Sequence, residues 1–542
     1  MNTDQGHIGL AGISRAAAVA LVMGGIFAVL GLRGAHIALK SDDQTTMSAG
    51  VGGVGVQRAD ILDRNGELLA TSVAAYSLVA DPRAIWDVDA LVDQLADTLQ
   101  GIDRDQLLQR LGNRDRRFEW VARGLTPRQR QAVFDLGLEG LSFRAESHRV
   151  YPRGTQAGHL LGHVDIDGVG RMGVERAYEA ELADAEAPLR LTIDSGVQFA
   201  LEQELSGAAE VFGVEGAAGL VVEVSTGELR ALASWPEFDP NRPEMAGDDE
   251  RLNRVSGAVF ELGSIFKPFT VAAALDAGAV KLDDTFDVRA PIVVAGKAIT
   301  DTHPGTANMT VSDIVSESSN IGTVQIARRI GGEPLRGTFE TYGLFDRAPV
   351  EFGVSAAPLL PQHWGELEDA TISYGHGIAV TPLAFVQAFL AFANDGEILP
   401  IHARPLEEAP TPRRIMSALA ANRVRDMLRA TVVDGTGKSA DVAGFRVAGK
   451  TGTAEKPIPG GYAVDHNITS FAALFPAQSP EYVVLIVLDD PRVREGEGAT
   501  AAWNAAPTAS RVIERIAPLL GVMPTPDVGP QDARASTQRR AL

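Results

Sequence analysis

The chain has seven lysines, and only Lys267 has a serine three residues before it, in Ser264-Ile265-Phe266-Lys267. A serine hydroxyl is a weak nucleophile until a neighbouring base takes its proton. A lysine can be that base when burial and nearby positive charge lower its pKa. The apolar run Phe269–Leu275, broken only by Thr270, predicts a helix that Gly278 stops. Pro268 fits only if this helix has just begun, where a missing N–H costs nothing. Ser264 then stands at the helix start with Lys267 one turn on, on the same face. The free N–H groups of such a terminus favour an oxyanion. The chemistry this spacing would serve is attack by a serine activated by a neighbouring base.

Two further short motifs could complete such a site. Ser318-Ser319-Asn320 is the only Ser-x-Asn among eleven asparagines. The Ser318 hydroxyl could relay a proton between a base and a leaving amine. The Asn320 amide can donate to a substrate carbonyl and accept from a backbone N–H. Lys450-Thr451-Gly452, followed by Thr453, ends the strand-like run Phe445–Gly449. Lys450 offers charge, and Thr451 and Thr453 offer hydroxyls, to a substrate carboxylate. Gly452 permits close backbone approach. Singly, these are also what helix caps and edge strands look like. All three in order, 54 and then 132 residues apart, are not an ordinary coincidence.

The elements that must position them are legible in outline. Ala218–Val224 and Leu229–Ser234 read as two strands joined by Ser225-Thr226-Gly227. Helical patterns follow at 266–277, 311–330, 383–394 and 416–431, and strands return at 444–453, 468–475 and 482–488. Strands at both ends with helices between predict an antiparallel sheet flanked by helices. Upstream, residues 58–189 mix short strands with arginine-rich helices. Asn65-Gly66 marks a hairpin turn, and 88–137 reads mainly as amphipathic helices. The expected organisation is α+β and multidomain: a stub 1–15, a transmembrane anchor 16–39, a linker 40–57, a mixed α/β pedestal 58–189, a domain 190–520 carrying the three motifs, and a disordered tail 521–542.

The anchor rests on Ala16–Leu32, seventeen residues without a polar side chain between Arg15 and Arg33. A cleaved signal peptide would have a shorter apolar region and a small-x-small site. Flanking charges do not set its orientation, since Arg15 faces Arg33 and Lys40. The net charge of −21 argues against nucleic acid as a partner. The absence of cysteine removes disulfides, thiol nucleophiles and cysteine-based metal sites. His159 and His163 are four apart, but Gly162 lies between them and no glutamate adjoins His159; they read as packing or surface histidines. No metal or cofactor is expected.

Together the three motifs resemble those of the penicillin-recognising serine transferases, with Ser318-Ser319-Asn320 as the middle element. The resemblance runs from about residue 16 to 515. Arg58-Ala59-Asp60-Ile61-Leu62-Asp63-Arg64-Asn65-Gly66, Arg149–Gly154 and Gly170–Glu175 are similar to pedestal signatures of class B penicillin-binding proteins. Leu191–Asp194, Thr226-Gly227-Glu228, Pro240-Asn241, Asn253-Arg254, Tyr374-Gly375-His376-Gly377 and Thr381-Pro382 resemble transpeptidase-domain segments. His159–Gly170 most resembles the division-specific branch. The chain departs from the pattern at Ala59, usually Gly, and at Leu262, usually Pro.

The resemblance implies a β-lactamase-like transpeptidase fold and a periplasmic, single-pass inner-membrane D,D-transpeptidase that cross-links septal peptidoglycan. Ser264 would attack the penultimate D-alanine carbonyl of a stem peptide. Lys267 would act as base, and Ser318 with Lys267 or Lys450 would protonate the leaving D-alanine. Asn320 would hold the acyl-side peptide. Thr451 and Thr453 would bind the terminal carboxylate beside Lys450, and the N–H groups of Ser264 and Thr453 would form the oxyanion hole. β-Lactams would acylate Ser264. The implied partners are peptidoglycan stem peptides, a septal glycosyltransferase and other divisome membrane proteins. An elongation-specific enzyme, a β-lactamase or D,D-carboxypeptidase that transfers to water, and an idle penicillin-binding sensor or divisome scaffold are the competing readings.

Overall fold

The computed structural model describes residues 58–184, 187–302, 307–458, 460–492 and 498–525. The expected stub, anchor and linker lie outside them. Among the described residues no helix is long and apolar enough to cross a membrane. The described residues divide into two compact units: one holds residues 74–147, the other residues 58–73 and those from 148 to 525.

The first unit pairs the later part of β1 (Leu68–Ala80) with the edge strand β2 (Glu119–Leu125), Leu78 opposite Ala122 and Val79 opposite Trp120. Helices α1 (Val88–Thr98), α2 (Arg104–Leu111) and α3 (Pro127–Asp135) surround it, and β3 (Leu141–Val150) also pairs with β1. Each helix start carries an oxygen acceptor for an orphan N–H: Asp87 accepts from Ala90, Asp103 from Gln106, and Thr126 with Gln129 forms a reciprocal box before Pro127. Leu91, Val92, Leu95, Leu107 and Leu111 point into one small core with Leu78 and Val133. The helical reading of 88–137 therefore misses β2, a seven-residue strand in which Glu119 and Arg123 interrupt the apolar positions.

In the second unit, residues 58–73 and 148–189 lie in the same compact body as residues from 190 onward. A buried ionic cluster ties residue 58 to residues 149–175. Glu175 is fully buried; its carboxylate accepts from Arg58 Nε, from Arg149 Nε at 2.7 Å and from the Tyr151 hydroxyl at 3.3 Å. Losing one partner of such a cluster strands a buried charge and costs about 3–5 kcal/mol. Gly162 is required nearby: its φ is +71°, and a Cβ there would lie 1.9 Å from the Met172 carbonyl oxygen. Asn65-Gly66 forms its turn as expected, with Asp63 Oδ1 accepting from the Asn65 and Glu67 N–H groups. His159 is buried, its Nε2 2.8 Å from the Glu250 carbonyl oxygen and its ring edge-on to Phe238.

After helix α4 (Ser195–Phe212), strands β4 (Gly216–Glu223) and β5 (Leu229–Trp235) open the main sheet. A 3₁₀ turn, Gly263–Phe266, leads into α5 (Lys267–Asp276), and α6 (Val311–Ser316), α7 (Asn320–Ile330), α8 (Pro382–Ala393) and α9 (Ala418–Val433) follow. Strands β6 (Ala448–Ile458), β7 (Gly461–Phe475) and β8 (Tyr482–Asp489) complete the sheet before α10 (Ala505–Leu519). The order is β6-β7-β8-β4-β5, all antiparallel. Both faces are covered. Leu220, Val222, Leu485 and Val487 face the core that contains α5 and α8, whereas Val221, Val484, Ile486 and Leu488 face the core built with α4 and α10. Two buried faces explain why β8 reads as a continuous apolar run instead of an alternating one.

Three boundaries differ from the sequence reading. The helical pattern at 311–330 is two helices, because Ser318 sits between them at φ +64°. The strand expected from 444 begins at Ala448, since Gly444 and Arg446 both have positive φ. The tail expected to be disordered from 521 is packed as far as Thr525: Val522 is buried, and the Thr525 N–H donates to the Gly444 carbonyl at 2.8 Å.

Candidate active site

The three motifs meet on one cleft of about 700 Å³, lined by Ser264, Ser318, Asn320, Thr451 and Thr453 among others. Ser264 lies in the 3₁₀ turn immediately before α5, and Lys267 opens the helix. Aromatic packing fixes this element from behind: Phe266 and Phe269 lie 5.8 and 5.6 Å from Phe385 of α8. From the front, β6 abuts the turn so closely that only glycine fits at 452. A Cβ there would lie 2.3 Å from both the Leu262 carbonyl oxygen and Ser470 Oγ. A Cβ on Gly263, at φ +59°, would lie 2.8 Å from the Thr453 carbonyl oxygen. Thr453 and Ser264 are neighbours through these contacts. Leu262, the departure from the family pattern, is buried, and its carbonyl accepts from Ser470 Oγ at 3.2 Å.

Lys267 is fully buried. Its Nζ lies 2.9 Å from Ser264 Oγ, 3.0 Å from Ser318 Oγ and in contact with the Ser318 carbonyl oxygen. A neutral amine has two N–H donors and one lone pair. Ser318 can accept both donors, through its carbonyl and its hydroxyl, which leaves the lone pair for the Ser264 proton. Burial, followed by the nearby Lys450 charge, holds the Lys267 amine well below its ordinary value of 10.5. The same geometry explains the strain at Ser318, a non-glycine residue in the left-handed region.

Lys450 is also fully buried, and its Nζ reaches Ser318 Oγ at 2.9 Å and the Thr451 carbonyl at 3.0 Å. Burial pushes its amine down to about 7, against the opposing pull of Glu317. Ser318 therefore bridges the two lysines. Thr451 Oγ1 lies 2.8 Å from Thr436 Oγ1, and Thr453 Oγ1 accepts from the Ala501 N–H at 3.0 Å.

Several residues of this cleft carry no signal in the sequence. Thr436 sits between Gly435 and Gly437 after α9, and only the fold brings it to Thr451. Asp301 is more consequential. Its carboxylate accepts from the Asn320 N–H at 2.6 Å, the Ile321 N–H at 3.0 Å and the Ser319 hydroxyl at 2.6 Å. It thus caps α7 from outside the helix and pins the whole Ser318-Ser319-Asn320 segment. The Asn320 amide donates to the Thr300 carbonyl at 3.0 Å, tying it to the same strip of chain. Asp301→Asn removes the charge and one acceptor. The expected result is about 1 kcal/mol lower stability and a several-fold slower acylation by a penicillin, read by urea unfolding and stopped-flow labelling.

Among the described residues no group of three or more His, Asp or Glu is placed to hold a metal.

Residues 217–514 match the model of the penicillin-binding protein transpeptidase domain, and residues 54–208 match that of the penicillin-binding protein dimerisation domain. The chain belongs to the penicillin-binding protein transpeptidase family. It is 43% identical over 487 residues to the probable peptidoglycan D,D-transpeptidase FtsI of Caulobacter vibrioides, covering 87% of this chain and 82% of that one. It is 29% identical over 483 residues to the peptidoglycan D,D-transpeptidase FtsI of Escherichia coli K12, covering 83% and 82%. Among solved structures, penicillin-binding protein 3 of Mycobacterium tuberculosis complexed with ampicillin aligns with a TM-score of 0.70 at 27% identity, over 88% of this chain and 98% of that one.

Proposed function

We propose that this protein cross-links septal peptidoglycan as a serine D,D-transpeptidase that β-lactams inhibit. One observation carries the chemistry: a fully buried Lys267 amine 2.9 Å from Ser264 Oγ, with its remaining hydrogen-bond positions taken by Ser318. Lys267 Nζ takes the Ser264 proton as Oγ bonds to the penultimate D-alanine carbonyl carbon of a stem peptide. The developing oxyanion takes the N–H groups of Ser264 and Thr453, each typically worth about 3 kcal/mol. The C–N bond to the terminal D-alanine breaks, and its nitrogen receives a proton through Ser318, which both lysines reach. Lys450, Thr451 and Thr453 hold the terminal carboxylate, and Asn320 holds the acyl-side peptide. An amine from a neighbouring stem then attacks the Ser264 ester, forms the cross-link and returns the proton to Oγ.

The FtsI-type relatives support the septal role. The apolar run Ala16–Leu32 supports a single inner-membrane anchor with the catalytic domain in the periplasm. A septal glycosyltransferase and other divisome membrane proteins are the partners this placement implies. The test is a reaction of the full chain with pentapeptide-bearing glycan and an amine acceptor, followed by mass spectrometry. Cross-linked product with one D-alanine released per bond is expected. Release of D-alanine with water as the sole acceptor would overturn transpeptidation in favour of a carboxypeptidase.

A further inference from the structure

Glu261, three residues before Ser264, is a carboxyl group only 6% exposed. Three groups from two distant parts of the chain converge on it. The Gly377 N–H donates to Oε2 at 3.0 Å, the Tyr462 hydroxyl donates to Oε1 at 3.1 Å, and His376 Nδ1 lies 3.4 Å from Oε2. The His376 ring stacks on Tyr462 with centroids 4.3 Å apart, and Tyr374 lies 6.2 Å beyond it.

The backbone around Glu261 is already joined to the same segment. Phe260 and Val380 exchange N–H···O bonds at 2.9 and 3.1 Å, and the Gly263 N–H donates to the Gly375 carbonyl at 3.1 Å. A Cβ on Gly375 would lie 2.1 Å from the Gly263 carbonyl oxygen. The loop that carries Ser264 is thus laid along residues 375–380, with the Glu261 side chain as a link in the middle. Tyr462 adds a third body. It lies at the start of β7, opposite Pro457 of β6, and β6 carries Thr453. One carboxyl therefore connects the nucleophile's turn to the far end of the strand that supplies Thr453.

We propose that Glu261 is a positioning residue, holding the Ser264 turn, the Tyr374–Gly377 segment and the β6–β7 arm in the one register that acylation needs. The proposal rests on the acyl-transfer reading. Burial raises the Glu261 carboxyl above its usual range, opposed by the Gly377 N–H, His376 and Tyr462. The titratable groups facing the cluster are His376, Tyr374 and Tyr462, with Glu455 acting on Tyr462.

The experiment is single-turnover acylation by a chromogenic cephalosporin, separating the covalent rate constant from the dissociation constant of the preceding complex. Three variants are compared: Glu261→Gln, Tyr462→Phe and the double variant. An amide oxygen can accept from Tyr462 or Gly377, but its nitrogen can accept from neither. Each single variant should lower the covalent rate constant about tenfold, as expected for losing a hydrogen bond to a charged group, with the dissociation constant nearly unchanged. The double variant should be no slower than Glu261→Gln, because both act through one link. A fall confined to the dissociation constant, additive losses, or wild-type rates in Tyr462→Phe would overturn it. Tyr462→Phe leaves the buried carboxyl in place, so it stays informative if Glu261→Gln does not fold. A wild type that is itself not acylated would instead sink the underlying acyl-transfer reading.

Discussion

Ser264→Ala is expected to give a folded protein that a fluorescent penicillin no longer labels. The substitution removes one oxygen, which lies 2.9 Å from Lys267 Nζ. Lys267 keeps both acceptors on Ser318, and the turn keeps its backbone contacts to β6 and to Gly375. Stability should therefore move by less than about 1 kcal/mol, since no buried acceptor is stranded by an amine that can stay neutral. Covalent labelling, by contrast, has no atom to proceed through. Gel fluorescence and intact-mass measurement on wild type and variant would check both halves. A penicilloyl adduct on the alanine variant would move the nucleophile elsewhere, and Ser318, between the two lysines, would be the first place to look.

The contrast between Ser264 and its surroundings shows what a sequence can carry. Ser264, Lys267, Ser318, Asn320, Lys450 and Thr451 were legible because each sits in a short motif whose residue types already state a chemistry. The sheet was legible for a related reason. Its strands are apolar runs bounded by turns, and the order of strands and helices along the chain permits few layer arrangements. Ser318 marks where periodicity stopped helping. Residues 311–330 keep a helical pattern of apolar positions, yet the chain breaks at a left-handed serine, because Lys267 needs both its carbonyl and its hydroxyl. A local pattern has no means of registering a demand made by a residue 51 positions away.

Asp301, Thr436 and Glu261 were illegible for the same cause. An aspartate between two threonines, a threonine between two glycines and a glutamate before a leucine have no periodic or motif signature. Their roles come from contacts 18, 15 and 116 residues distant. The meeting of Arg58 with Arg149 and Glu175, 91 and 117 residues away, likewise follows from the fold and not from any change in composition.

Lys267→Met should slow acylation by about 10²–10⁴-fold, the range that loss of a positioned general base produces. Methionine fills nearly the same buried space and leaves Ser264 in place, so the loss measures proton transfer and not the nucleophile. The pH dependence separates this from a packing effect. Only the neutral amine can accept the Ser264 proton. In wild type the rate should therefore fall as pH drops through the Lys267 pKa, which lies well below 10.5. On the alkaline side, Lys450 loses its charge from about 7 upward in the free enzyme, which weakens its hold on a carboxylate. The methionine variant should lose the acid limb and keep the alkaline one. Stability carries its own sign. A lysine whose folded pKa is lowered binds fewer protons folded than unfolded, so stability rises with pH between the folded value and 10.5. Removing Lys267 should flatten that rise, and Lys450 should retain the part between about 7 and 10.5. Urea midpoints at pH 7 and pH 9 would show it as a smaller difference in the variant than in wild type. An unchanged acid limb in Lys267→Met would mean that another group takes the Ser264 proton, and Lys450 acting through Ser318 is the route the geometry leaves open.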